Sequence, residues 1–469
     1  MKSVTAIPDA YALMESTRSI GYTFESAVAD IVDNSISAEC TWVKITAVPG
    51  NNKLTILDNG WGMDYDTLEN AMKYGVDPDA PRSPKDLGRF GLGMKMASLS
   101  QCRCLTVISK KGTQISACRW DLDYIRNMHQ WELLTLEPEE VAHYDEYASL
   151  QKQESGTLVV WEKLDKIDGK TELTEKLLRS KINSLIDHLS KTFHRFLEGD
   201  SSQDKLTIEV NGGEIEPFDP FLIHHKTTPA TFVQEPQPYE VDGHEIVITV
   251  YVLPLYSDLN YELQKYIGGP DDLLNYQGFY IYRNKRLIIP GKWFGLATKK
   301  ELSKNVRIQV DIPTSSDMLW SVDVKKANAT LPPKLRELFL KIIKPALTRG
   351  AEPVNYRGKR EVNNGDRIAM WDKLVKNDQA SYTINLEHPF IQAFSEDLSD
   401  EQRRFFKIIL KTISKEVPQT NIYNDLSKGE MPKQPTLDPE ESKEAMELLK
   451  KYGLSNEDFA RIVAFTSKN

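Results

Sequence analysis

The residues best suited to chemistry lie in one short segment, Phe24–Ala38, whose pattern predicts a helix. At about 100° per residue, Asp30, Asp33, Asn34 and Ser37 fall on one arc. No Lys, Arg or Glu shares this stripe, and its short side chains favour a rigid site over a solvated helix face, which is the alternative. The opposite arc is apolar and contains Phe24, Ala27, Val28, Ile31, Val32 and Ala38.

The chemistry that this stripe suits is metal-assisted phosphoryl transfer. The side-chain amide oxygen of Asn34 is a hard, neutral ligand of the kind that Mg²⁺ accepts. The Asp30 carboxylate, one turn away, can orient and deprotonate a water molecule. We therefore expect a phosphate-bearing ligand to lie against this face of the helix.

A glycine turn follows the predicted strand that ends at Leu57. Its sequence is Asp-Asn-Gly-Trp-Gly-Met, residues 58–63. Gly60 and Gly62 let the backbone approach a ligand closely, and Asp58 can accept a hydrogen bond from an exocyclic amine. Taken alone, such a turn is more often an ordinary connection between elements. Met63 is a candidate residue only because it is the last residue of the turn.

A second glycine-rich segment precedes the predicted helix Met94–Leu99. Its amides can hold phosphates at the start of that helix, with Lys95 as a charge partner, and a hinge or packing role is the alternative. It lacks the spacing of a P-loop. The candidate residues of this segment are Gly88, Arg89, Phe90, Gly91, Leu92, Gly93, Met94 and Lys95.

These signals gain weight from their order along the chain. An acid and amide helix, the turn after Asp58, the second glycine segment and the Gly156-Thr157 pair that opens a strand follow one another within the first 160 residues or so. Each pattern is common in isolation, whereas the ordered set predicts one nucleotide pocket.

In these motifs the sequence resembles the GHKL ATPases, which include gyrase B, the heat-shock chaperone, histidine kinases and MutL. The resemblance implies a Bergerat-type α+β fold, an α/β sandwich in which helices cover a mixed sheet. It implies that Asp30 is the general base, that Asn34 holds Mg²⁺, and that Asp58 and Thr157 bind adenine. Asp33, Gly60, Gly62 and the glycine segment then complete an ATP site with ATP and Mg²⁺ as cofactors.

One departure from that pattern concerns the base. It is a glutamate in the MutL and gyrase branches, and position 30 is an aspartate. The side chain is one methylene shorter, so the position of the attacking water is affected more than nucleotide binding. We expect a slow ATPase.

The second region resembles the transducer domain of MutL and MORC proteins through the segment Gly278–Ile288. Lys326, favoured over Lys325, falls where that domain sends a lysine to the γ-phosphate; membership of a basic surface is the alternative. The overall resemblance is to prokaryotic MutL/MORC-like ATPases, a group associated with restriction-type or phage-defence systems. That association comes from the family alone.

The chain has 469 residues, too many for one ordinary core. We predict an ATP-binding domain over residues 1–200, a transducer-like domain over 201–350, and a linker with a small helical region over 351–469. Strands are predicted at Val43–Val48, Lys53–Leu57, Cys104–Ser109, Gln114–Trp120, Thr157–Lys163, Leu206–Val210, Glu245–Leu253, Gly278–Ile289 and Arg307–Ile312. Further helices are predicted at Asp66–Tyr74, Arg179–Leu197, Leu331–Leu347, Ser399–Ser414 and Pro439–Tyr452, with a linker over Glu352–Asp366.

Composition narrows the class of protein. We expect no secretory signal, no membrane span, and no disulfide framework or zinc site among the four cysteines. We expect a cytoplasmic protein without a membrane partner and with reduced thiols.

The charge distribution suggests a partner. Net charge is −9, but residues 281–360 contain 18 Lys and Arg against 6 Asp and Glu, a local +12, which leaves −21 for the rest. We expect an ATP-dependent homodimeric clamp whose basic region 281–360 holds DNA phosphates without reading sequence, with a solvated basic face as the alternative. The residues expected to line it are Arg283, Lys285, Arg286, Lys299, Lys300, Lys304 and Arg307.

A second function class stays open. The aspartate at position 30 and the absence of a nuclease signature in residues 350–469 are compatible with a nucleotide-gated scaffold of negligible turnover. Such a scaffold recruits an effector such as a nuclease or helicase through its C-terminal helices.

Overall fold

A computed structural model describes residues 8–19, 21–48, 50, 52–74, 93–167, 175–199, 205–223, 231–300, 303–313, 331–360, 370–376 and 379–417. These residues form two compact units. The first draws on Met1–Leu253, Gly278–Thr298 and Arg307–Ile342, and the second on Pro254–Gln277, Lys299–Val306 and Ile343–Asn469.

The first unit is built around an eight-stranded mixed sheet with the strand order β5-β4-β3-β6-β2-β1-β7-β8. β1 and β7 run parallel, and the other neighbours are antiparallel. The sheet continues past residue 200, the predicted end of the first domain, because β7 and β8 follow it along the chain. The three-domain division stays a prediction. The strands are β1 Trp42–Val48, β2 Lys53–Asp58, β3 Cys102–Lys111, β4 Gln114–Asp121, β5 Leu134–Leu136, β6 Ser155–Leu164, β7 Thr207–Val210 and β8 Gly213–Glu214.

Helices lie on both faces of this sheet. They are α1 Ala10–Thr17, α2 Phe24–Ser37, α3 Tyr65–Met72, α4 Gly93–Leu99, α5 Leu122–Met128, α6 Pro138–Val141, α7 Tyr147–Lys152, α8 Glu175–Thr192 and α9 His194–Glu198. Alternate strand residues point to opposite faces. Ile56 therefore joins the main core beneath α2 and α8, while its neighbour Leu57 joins a smaller core with α6 and α7. The α+β sandwich expected from the resemblance is confirmed.

The helix that carries the candidate acids starts at a complete capping box. Thr23 accepts a hydrogen bond from the Ser26 amide, and the Ser26 side chain accepts one from the Thr23 amide. This arrangement satisfies two amides that the first turn of a helix leaves without partners. Ala27, Val28, Ile31 and Val32 are buried, which fixes the rotation of α2 and the direction of its polar face.

The second sheet has the order β12-β11-β13-β10-β9. Its strands are β9 Thr231–Val241, β10 His244–Val252, β11 Gly278–Arg283, β12 Arg286–Lys292 and β13 Val306–Ile312. The predicted single strand Gly278–Ile289 is thus wrong, because it is a hairpin. Asn284 and Lys285 form its turn with φ of 47° and 67°. Both values fit a two-residue hairpin turn, and the usual Asn-Gly signal is missing here.

The remaining elements are helical except for one hairpin. α10 Tyr261–Tyr266 and α11 Pro270–Asn275 lie between β10 and β11 along the chain, and α12 Pro333–Arg360 follows β13. The second unit also contains β14 Trp371–Lys376, β15 Gln379–Ile384, α13 Pro389–Glu396 and α14 Asp400–Lys415. In that unit the Ile384 amide donates to Ser414 Oγ over 3.0 Å, which joins β15 to α14.

Two other expectations need correction, and one cannot be assessed. The predicted helix Arg179–Leu197 is two helices that meet at Phe193. The predicted linker begins inside α12, which continues to Arg360. The predicted helix Pro439–Tyr452 lies outside the described residues. No helix among the described residues has the length and apolar character to cross a membrane.

We predict that the contact between α12 and the second sheet stabilises the first unit. The rings of Phe279 on β11 and Phe339 on α12 are stacked with centroids 4.0 Å apart, and both are buried. Phe339→Ala should lower the free energy of unfolding by about 3–5 kcal/mol, through lost burial and a cavity. Leu340→Ala, at the adjacent, half-exposed position, should change it by no more than about 0.5 kcal/mol. Urea denaturation measures both, and equal effects would contradict this packing.

Candidate nucleotide-binding site

Asp58 ends β2 and is the most constrained carboxylate of the candidate site. Its Oδ1 accepts hydrogen bonds from the amides of Gly60, at 3.0 Å, and Thr157, at 3.1 Å. Its Oδ2 accepts one from Ser35 Oγ at 2.8 Å. Antiparallel pairing of β2 with β6 sets Asp58 opposite Thr157, so the sheet register brings these two predicted residues together.

Burial raises the pKa of Asp58, and the hydrogen bonds from Gly60, Ser35 and Thr157 lower it in part. The residue is only 5% exposed. A buried carboxylate is costly unless donors surround it. The three donors therefore hold Asp58 in one orientation, and its remaining lone pairs can accept from an amine on a ligand.

Ser35 is a site residue that the sequence analysis missed. On the helical wheel it lies between Val28 and Ile31, in the middle of the apolar arc of α2. A polar residue at the centre of a buried face needs a hydrogen-bond partner. That signal was present in the sequence, and the partner is Asp58.

The turn after Asp58 requires glycine. Gly62 has a φ of +66°, and a Cβ there would lie 1.9 Å from the Lys110 carbonyl oxygen. The next amide, that of Met63, donates to Ser109 Oγ at 2.8 Å, and Ser109 Oγ lies 2.9 Å from Thr157 Oγ1. The turn is therefore packed directly against β3 and β6, with no room for a side chain between them.

Asp30 lies farther towards the start of α2. Its Oδ2 accepts a hydrogen bond from the Tyr22 hydroxyl at 3.0 Å. Burial, and then Asp30, raises the pKa of Tyr22. A Cβ on Gly93 would lie 3.8 Å from the same carboxylate oxygen, so the first residue of α4 faces Asp30. The structure thus brings together two predicted elements, the acid of α2 and the end of the glycine segment.

Asn34 is exposed one turn beyond Asp30 on α2. Its side chain makes no hydrogen bond to any residue that the structure describes. An exposed amide oxygen one turn from a carboxylate is a donor set that Mg²⁺ accepts. The residues present at this position therefore fit the metal that the resemblance implies.

Asp33 has a different environment from the one expected of a nucleotide ligand. Arg286, the first residue of β12, donates from Nε to Asp33 Oδ1 at 2.6 Å. A terminal nitrogen of the same guanidinium lies 3.6 Å from Asp30 Oδ1. The side chains of Arg286 and Asp33 are only 7% and 3% exposed. Asp33 thus forms an ion pair with the second sheet, and its role as a nucleotide ligand stays a prediction.

Lys95, the predicted charge partner of the phosphates, contacts the end of α3. It is buried, and its Nζ donates to the Ala71 carbonyl at the end of α3 over 2.6 Å. Burial lowers its pKa to about 8. The ammonium is thus bonded to the protein in this conformation, so the expected contact with phosphate requires it to leave Ala71. Its neighbour Met94 is half-buried in the same helix.

Several predicted residues cannot be placed. Gly88, Arg89, Phe90, Gly91 and Leu92 lie outside the described residues, as do Lys325 and Lys326. Their roles stay predictions.

The geometry defines a class of protein. A buried carboxylate at a strand end, a glycine turn packed on the sheet and an acid and amide face on the adjoining helix are the features of a GHKL-type ATP-binding domain. A family model described as "Histidine kinase-, DNA gyrase B-, and HSP90-like ATPase" matches residues 22–157, so this segment is similar to the ATP-binding domain of the GHKL superfamily.

Two mouse proteins are similar to part of the chain. ATPase MORC2B from Mus musculus is 32% identical over 95 residues, which are 19% of this chain and 9% of that protein. MORC family CW-type zinc finger protein 3 from Mus musculus is 30% identical over 106 residues, 21% of this chain and 11% of that protein. The domain is thus MORC-like, and the similarity spans only about a tenth of either relative.

We predict that Asp58 and Ser35 determine nucleotide affinity. Asp58→Asn should weaken ATP binding at least about tenfold, because a charged acceptor is lost and an amide donor then faces donors. Ser35→Ala should weaken it about two- to tenfold, through loss of one hydrogen bond that orients Asp58. Isothermal titration calorimetry with a non-hydrolysable ATP analogue measures both.

The matched control is Ser184→Ala on α8, where the hydroxyl donates to a main-chain carbonyl of its own helix. It should bind like the wild type. Unchanged affinity in Asp58→Asn would exclude Asp58 as a nucleotide ligand.

Proposed function

We propose that the protein binds ATP with Mg²⁺, hydrolyses it slowly, and acts as a nucleotide-gated dimeric clamp. The observation that carries the proposal is α2 itself, because one helix supplies Ser35 to the Asp58 site and exposes Asn34 one turn from Asp30. An adenine site and a phosphate site on one helix suit a single nucleotide.

In this proposal Asp58 accepts the exocyclic amine of adenine, supported by Thr157, and Asn34 provides a ligand to Mg²⁺. The bound metal neutralises charge on the phosphates. Asp30 orients the attacking water and accepts its proton, while Tyr22 and Arg286 hold that carboxylate. Gly93, at the start of α4, lies where backbone amides can face the phosphates.

The clamp requires the second sheet to respond to the nucleotide. The ion pair between Arg286 and Asp33 supports this, because it joins β12 to the helix that carries Asp30. We propose Lys326 as the residue that contacts the γ-phosphate. A triphosphate then favours one arrangement of the two sheets through contacts that a diphosphate lacks.

The proposed DNA contact needs a correction. Three of the seven expected residues, Arg286, Lys304 and Arg307, are buried and cannot meet a phosphate backbone. Other basic residues of region 281–360 are exposed. They would contact the phosphates of DNA, and such contacts do not depend on base sequence. They include Lys334, Arg336 and Lys341 on α12, and Lys299 and Lys300 before β13 are also exposed.

The alternative is a nucleotide-gated scaffold with negligible turnover that recruits an effector. Exposed apolar side chains on α14, including Phe405 and Ile409, are compatible with such a partner. A nuclease or helicase partner, a role in restriction or phage defence and a cytoplasmic location stay predictions from the sequence.

Asp30→Asn separates the two functions. We expect the substitution to lower phosphate release at least about 100-fold, because the amide cannot accept a proton from water. The affinity for a non-hydrolysable ATP analogue should stay within about threefold, since Asp30 is not the adenine ligand. Asp187→Asn, the same change at an exposed position of α8, is the control and should retain turnover. Equal background rates in wild type and Asp30→Asn would favour the scaffold.

ATP-dependent dimerisation tests the clamp. Light scattering after size exclusion should give a monomer without nucleotide and a dimer with Mg²⁺ and the non-hydrolysable analogue. Asp30→Asn should form the dimer with ATP itself, because the triphosphate persists. A chain that stays monomeric at a saturating concentration of the analogue would rule out the clamp while leaving ATP binding intact.

A further inference from the structure

One buried arginine of the second sheet contacts both acids of α2. We propose that Arg286 is a positioning residue for ATP hydrolysis, which makes the orientation of Asp30 depend on the docking of β12. The proposal rests on the ATPase activity proposed above and adds a residue, contributed by the second sheet, that controls its rate.

The position of Arg286 is fixed by its surroundings. It is the first residue of β12 and pairs with Arg283 across the hairpin. Its neighbour Leu287 is buried in a cluster with Phe221 and Tyr282. The guanidinium carbon lies 5.7 Å from the ring centre of Phe193, where α8 ends. The backbone of Arg286 is therefore held by the second sheet, while its guanidinium lies against Phe193 and α2.

The guanidinium suits a contact with two acids. Asp30 and Asp33 are three residues apart and so lie on the same side of α2. Arginine presents five N–H groups in a planar fork. Its Nε donates to Asp33 Oδ1 at 2.6 Å, and a terminal nitrogen lies 3.6 Å from Asp30 Oδ1. A lysine presents one nitrogen instead of a planar fork, so it cannot place two separate nitrogens beside the two carboxylates.

Asp33 is the anchor of this arrangement. Its nearly complete burial makes an uncompensated charge costly, so the arginine that pairs with it is held firmly. The ion pair with Asp33 therefore determines where the guanidinium lies beside Asp30. Asp33 is thus better explained as an attachment point for β12 than as a nucleotide ligand.

Asp30 is held from two directions. The Tyr22 hydroxyl, from the segment just before α2, donates to Oδ2, and Arg286 lies beside Oδ1. Of these two contacts, the one with Arg286 depends on the second sheet. Displacement of β12 therefore leaves Asp30 with a changed orientation although its own domain is intact.

Orientation matters for a base with a short side chain. A misplacement of about 1 Å can cost about 100-fold in rate. Loss of Arg286 should therefore slow hydrolysis and leave the adenine site around Asp58 unchanged, because none of the hydrogen bonds to Asp58 comes from the second sheet. A purely structural role predicts a loss of stability without this separation.

The test compares Arg286→Gln with Arg195→Gln. Arg195 on α9 forms an ion pair with Asp311 on β13, so it also joins a helix of the first sheet to the second sheet, away from the two acids. For each variant the single-turnover rate, the affinity for a non-hydrolysable ATP analogue and the melting temperature are measured in the full chain.

We expect Arg286→Gln to lower the single-turnover rate at least about 30-fold with affinity unchanged within about threefold. Arg195→Gln should keep the wild-type rate. Arg286→Lys, which retains the charge and serves if the glutamine variant fails to fold, should have an intermediate rate.

Three results would overturn the proposal. An unchanged rate in Arg286→Gln would show that Asp30 does not need the arginine. A raised rate would show that Arg286 restrains the base. Equal losses of rate in Arg286→Gln and Arg195→Gln would indicate general loosening of the sheets. Absence of turnover in the wild-type chain, with analogue binding intact, would instead contradict the ATPase activity and, with it, this role.

Discussion

The burial of Asp58 is the constraint on which the arrangement of the first unit depends. A carboxylate that is 5% exposed needs donors, and they come from three elements: Ser35 on α2, the Gly60 amide in the turn and the Thr157 amide on β6. Satisfying one carboxylate therefore fixes the helix, the turn and the strand relative to one another. The proposed adenine site depends on that arrangement, because the donors leave acceptor capacity on Asp58.

The same helix, α2, also connects the Asp58 site to Asp30, the proposed base, and to the second sheet. Once Ser35 and the apolar arc fix the rotation of α2, Asp30 and Asp33 are directed to one side. There Tyr22, Gly93 and Arg286 meet them. Asp33 and Asp30 lie one turn apart on the same helix. A displacement of Asp33 by β12 therefore also changes the position of Asp30. This short path is a physical basis for the proposed coupling between ATP hydrolysis and the arrangement of the two sheets.

Local patterns predicted the parts of the site that depend on neighbours in sequence. Helical periodicity placed Asp30 and Asn34 in the candidate site, and turn chemistry placed Asp58 and Gly62 there. Ser35 also had a signal in the sequence, because it is a polar residue within an apolar arc. Arg286 lies 253 residues from its partner Asp33, so no local pattern could reveal their contact, and its charge suggested DNA instead. Lys95 shows that a motif position does not fix the direction of a long side chain.

The most direct test of the account is an experimental structure with Mg²⁺ and a non-hydrolysable ATP analogue. The account predicts one nucleotide with its adenine amine on Asp58 and its metal on the Asn34 amide oxygen, and with Asp30 facing the γ-phosphate. A nucleotide bound elsewhere, or Asn34 and Asp58 in separate cavities, would contradict it.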